Sequence, residues 1–228
     1  MIFLLLLQNL KLNYSHMRKI RFFMLAAAMF AASTMNAQSS FSFRFGGLMV
    51  LGDLAESQTV TSFLDNTRAG NAAAYGAFLG FQFTQGIGDG GLGVFISADA
   101  LWTPSNQEIR KMYDEHSWTK PQFINIPVMA GVHYHMPAVT VSPYFEVGAG
   151  VNFFMKTPEG VSGNLREYDM TESFAVMGGL GVMFNDVFSI GVHYLLPGID
   201  GVKISTKDVD ADYDLKASML ALRLGFHF

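Results

Sequence analysis

The chain contains no cysteine. That absence excludes disulfides, thiolate metal sites, a cysteine nucleophile and a lipidated N-terminal cysteine. Charge is also scarce: Asp, Glu, Lys and Arg make up 15% of residues, and the 15 bases are outnumbered by 19 acids. An acidic balance argues against a phosphate-binding surface, so nucleic acid is not an expected partner. No apolar run is long enough to span a bilayer as a helix. The run Phe22 to Ala32 falls short of the roughly 20 residues required. What the chain has instead is alternation.

The N-terminus reads as an export address. Met17-Arg18-Lys19 with Arg21 forms a basic segment, Phe22 to Ala32 an apolar one, and small residues follow up to Ala37. This is the pattern of a signal peptide over 17–37, with cleavage expected before Gln38. A second apolar run, Ile2 to Leu7, precedes that complete signal. Translation is therefore expected to start at Met17, with residues 1–16 an upstream extension. Losing residues 1–37 removes Lys11, Arg18, Lys19 and Arg21 and no acid, taking the net charge from −4 to −8. The remaining 38–228 suits one domain.

From Leu220 to the end, Leu220, Leu222, Leu224, Phe226 and Phe228 alternate with Ala221, Arg223, Gly225 and His227. A strand exposes two faces with period two, so one face here is apolar and the other small or polar. The same pattern recurs upstream. Tyr75, Ala77, Leu79, Phe81 and Phe83 alternate with Gly76, Phe78, Gly80, Gln82 and Thr84, and Phe145 to Phe153 alternate with Glu146, Gly148, Gly150 and Asn152. Phe188 to Tyr194 do the same against Ser189, Gly191 and His193. Eight strands are expected, over 40–51, 74–85, 91–103, 121–134, 141–154, 173–184, 187–196 and 214–228. Long polar connections follow the first, third, fifth and seventh, and short ones the second, fourth and sixth. Fifteen acids fall in the long connections, leaving only Asp89, Asp99, Glu146 and Asp186 elsewhere.

Alternating long loops and short turns, with charge excluded from the outward faces, predicts an all-β, eight-stranded antiparallel up-and-down transmembrane β-barrel. The large apolar set is assigned to lipid and the small or polar set to a narrow lumen. A soluble lipid-binding barrel with the faces reversed would leave the Gly-rich outer face and the regular loop alternation unexplained.

The segments Phe123-Ile124-Asn125-Ile126-Pro127-Val128 and Pro143-Tyr144-Phe145-Glu146-Val147-Gly148-Ala149-Gly150-Val151-Asn152 resemble the central strand pair of the outer-membrane beta-barrel domain family of Bacteroidota. That family includes PorT-like proteins and is similar in build to OmpA and OmpX barrels. The Asn36-Ala37-Gln38 region resembles the signal peptides of the same bacteria. The resemblance implies an integral outer-membrane protein without an assigned reaction. Its expected partners are membrane lipid and lipopolysaccharide, together with the barrel-assembly machinery reached through the C-terminal strand. A structural or surface-interaction role through the four acidic extracellular loops is expected; PorT-like members imply an accessory role in protein secretion as the alternative, and a lipid-modifying barrel enzyme is the further alternative. The barrel pattern runs to Phe228, so no peptidoglycan-binding domain is expected.

Four charges belong to the inward set: Arg44, Asp99, Glu146 and Arg223. Two acids and two bases sum to zero, and burying them unpaired would be costly, so an ion-paired structural network is expected. His133, His193 and His227 are also inward but are expected at different heights, which argues against one shared site. No catalytic residue, metal site or cofactor is expected. His116 lies beside Asp114, Glu115 and Ser117, too close in sequence to form a triad. The run Asp208 to Asp214 alternates acids but lacks the glycine and terminal glutamate of a calcium loop, and reads as a solvated acidic loop. Trp118 offers an aromatic surface in a loop. Phe41, Phe43, Trp102, Tyr134, Phe153, Tyr194 and Phe228 are expected near the two membrane interfaces.

Overall fold

The computed structural model describes residues 39–52, 55, 73, 75–105, 107–137, 140–161, 164–166, 170–197, 202–206, 209–215 and 217–228. The signal-peptide and start-site expectations, which concern residues 1–37, lie outside them. The elements are β1 (Ser39–Leu51), β2 (Tyr75–Gly86), β3 (Leu92–Pro104), α1 (Gln107–Glu115), β4 (Gln122–His135), β5 (Val141–Lys156), β6 (Glu159–Val161), β7 (Asn164–Arg166), β8 (Thr171–Phe184), β9 (Phe188–Pro197), β10 (Val202–Thr206), β11 (Val209–Leu215) and β12 (Ser218–His227).

Eight of these close into an antiparallel barrel in the order β1-β12-β9-β8-β5-β4-β3-β2. Closure is made by β1 and β12, in register from Ser42↔His227 to Leu51↔Ser218. The end of the chain continues the seam, with Phe228 N donating to Phe41 O at 2.8 Å and Phe41 N to Phe228 O at 3.1 Å. Neighbouring strands are joined at one end by short turns. In the β8–β9 turn Asn185 and Asp186 both take positive φ, 49° and 57°, the combination that a two-residue hairpin turn needs to match strand twist.

Period-two alternation sorts the side chains as expected. Outward residues such as Leu180 (68% exposed) and Val147 (60%) contrast with Arg44 (3%), Asp99 (3%), Glu146 (4%) and Arg223 (6%) inside. The C-terminal row is outward too, from Leu222 and Phe226 to the 78% exposed Phe228. Near the short-turn end a chain of outward rings runs Phe41, Phe81, Phe43, Phe45, Phe226, Phe188, Phe184. Successive centroids lie 5.4 to 6.2 Å apart, and the Phe45–Phe226 contact spans the closing seam.

The long connections carry α1 and the two-stranded sheets β6–β7 and β10–β11. Two expectations need correction, the start of the last barrel strand and the reading of the acidic run as a loop. The last barrel strand begins at Ser218, because the residues from 209 to 215 belong to β11, which pairs with β10 through Val202↔Leu215 and Lys203↔Asp214. The alternation of Asp210, Asp212 and Asp214 is the period of that separate strand. Their side chains, like Asp208, are outside what is described.

Candidate functional site

The lumen divides into two halves along the barrel axis. Toward the long connections it is filled mainly by apolar side chains, among them Phe78, Leu101, Met129, Met177, Leu195 and Met219, with the buried Asn125–Asn152 pair, Asn152 Nδ2 donating to Asn125 Oδ1 at 2.9 Å, set among them. Toward the short turns it is richer in polar groups, with Phe95, Tyr144 and Met183 buried beside them. The boundary between the halves carries the four charges.

The cross-strand register explains how these charges meet. Arg44 on β1 and Asp99 on β3 are both opposite Gly80 of β2. A Cβ at Gly80 would overlap the Asp99 carboxylate, so the missing side chain lets Arg44 Nη2 reach over β2 to Asp99 Oδ1 at 2.8 Å. Glu146 on β5 uses the same device. It is the direct partner of His133 on β4 and is separated from His193 on β9 only by Gly179 of β8. A Cβ at Gly179 would fall within the His193 ring. His133 Nδ1 lies 3.0 Å from Glu146 Oε1 and His193 Nε2 lies 3.0 Å from Oε2. Arg223 joins the two acids, with Nη2 3.2 Å from Asp99 and Nη1 3.4 Å from Glu146. Its register partners are again glycines, Gly46 and Gly191. Gln82 completes the cluster, accepting from Arg44 Nη1 and donating to Glu146 Oε1 at 2.7 Å.

All four sequence-derived charges thus occupy one buried cluster, each within reach of at least one opposite charge. The expectation that the histidines stand apart needs correction, since His133 and His193 share one carboxylate. Position along a strand is a poor guide to height because barrel strands tilt. Residues in one register row, His133–Glu146–Gly179–His193, are neighbours although they sit at different distances from their strand ends. The usable sequence signal was a glycine opposite a charge.

Nearer the rim, His227 Nε2 lies 2.9 Å from Ser189 Oγ. This pair is packed beside Tyr144, whose ring stacks on His133 at 5.7 Å. A void of about 10 Å³ adjoins them, too small for anything beyond a single water. Among the described residues no group of three or more acidic or histidine side chains is arranged to hold a metal. Trp118 is half-buried rather than presented to solvent, with its ring against His116 at 4.8 Å and Tyr113 at 5.6 Å.

Similarity to known proteins follows the barrel. Among solved structures, the Neisserial surface protein NspA superposes with a TM-score of 0.50 at 13% identity, covering 85% of this chain and 99% of its own. OprG from Pseudomonas aeruginosa gives 0.49 at 17% identity, with 85% and 97% covered. Ail of Yersinia pestis, solved with the heparin analogue sucrose octasulfate, gives 0.48 at 17%, with 85% and 100% covered. At these identities the likeness to NspA is one of fold alone. No curated protein matches the chain. The family model described as the outer membrane protein beta-barrel domain matches residues 22–228, which takes in every strand of the closed barrel, and the chain therefore belongs to that family.

Proposed function

We propose that this protein is a structural, surface-display barrel of the bacterial outer membrane, in which a rigid wall holds four long acidic connections outside the cell. The carrying observation is the filled lumen: mainly apolar side chains pack one half and a self-compensating charge network organises the other. A wall closed in this way offers a platform and no aqueous path, so specificity belongs to the connections. In this reading residues 17–37 are a cleaved signal peptide and both termini are periplasmic. The contacting partners are phospholipid and lipopolysaccharide, the C-terminal strand from Leu220 to Phe228 is the segment met by the assembly machinery, and no cofactor or catalysis is involved. The Ser189–His227 pair is then a structural hydrogen bond.

The test begins with gel mobility of the membrane-fraction protein, boiled against unboiled. A heat-dependent shift is expected, followed by loss of surface binding when the long connections are shortened one at a time. A protein recovered from the soluble periplasm would overturn the assignment. Co-purifying membrane partners with a secretion defect on deletion would favour the secretion accessory instead. A changed lipid A or phospholipid profile that S189A abolishes would establish an enzyme.

A further inference from the structure

We draw no further inference here: the strongest candidate, the open groove of about 540 Å³ on the outward face of β4, β5, β8 and β9, floored by the small residues Ala130, Ala149 and Gly178, carries nothing because no observation in the structure shows what covers it.

Discussion

The two halves of the lumen solve the same filling problem with different chemistry, and one of them distinguishes inside from outside far more sharply. In the apolar half, Phe78, Leu101, Met129 and Met219 face inward while Leu79, Trp102 and Leu222 face outward. Both faces are largely apolar there, so a one-residue slip would mostly exchange one set of apolar side chains for another, the buried Asn125–Asn152 pair excepted. In the charged half the same slip would push Arg44, Asp99, Glu146 or Arg223 into hydrocarbon. For a basic residue near the midplane that costs about 2 to 4 kcal/mol. The charges therefore pin the register of β1, β3, β5 and β12, and the mainly apolar half supplies volume and marks phase at fewer positions, chiefly the Asn125–Asn152 pair of β4 and β5.

The comparison can be broken most severely at Glu146, which faces His133, His193, Arg223 and Gln82 at once. E146A leaves Arg223 only Asp99 as a counter-charge and is expected to lower stability by about 3 to 5 kcal/mol, read by urea unfolding in detergent or vesicles. If E146A costs less than a truncation in the apolar half, the network does not pin the barrel. That companion truncation is M129A, at a site 1% exposed. Its expected cost is about 2 to 5 kcal/mol, with the unfolding midpoint shifted and the register kept by the untouched charges.

A smaller effect sharpens the boundary between the halves. G179A places a methyl where His193 now sits and should cost about 1 to 3 kcal/mol through overpacking. In the H193A background the same change should become nearly neutral, because the obstructing ring is gone; a double-mutant cycle without coupling would refute the strand-skipping role of this glycine. The smallest effect lies outside both halves. Lys120 pairs with Asp114 at 2.6 Å in an exposed connection, and K120A is expected to change stability by less than about 1 kcal/mol and to lose even that in high salt.

The barrel itself was legible because period two is written into every strand. Arg44, Asp99, Glu146 and Arg223 could be placed inside from Phe-x-Phe and Gly-x-Gly alternation alone. Strand ends fell within one or two residues of expectation in most cases. The exception was β12, where the alternating acids of β11 continue the pattern across Lys216 and hide the break. The helix α1 was missed because its nine residues, Gln107–Glu115, are polar overall and too few to stand out from a loop, although Ile109, Met112 and Tyr113 recur at helical spacing. The clustering of His133 and His193 on Glu146 was missed for a different reason. It depends on register between strands distant in sequence, which no single strand's pattern contains. A local phase shift escaped as well: Gln82 and Gln85 are both buried, so strict alternation ends before β2 does.

One contact ties this architecture to the order of assembly. Arg223 and Asp99 are 124 residues apart in sequence, and Arg223 belongs to the strand that closes the barrel against β1. Asp99 and Glu146 therefore lack one of their cations for as long as the final strand is undocked. Long-range contacts form late, after the entropy of closing the chain has been met. The arrival of β12 neutralises the interior in the same step that removes the last open sheet edge. Charge compensation in this barrel is thus an event in time, and a partly closed wall is penalised electrostatically until the final strand is in place.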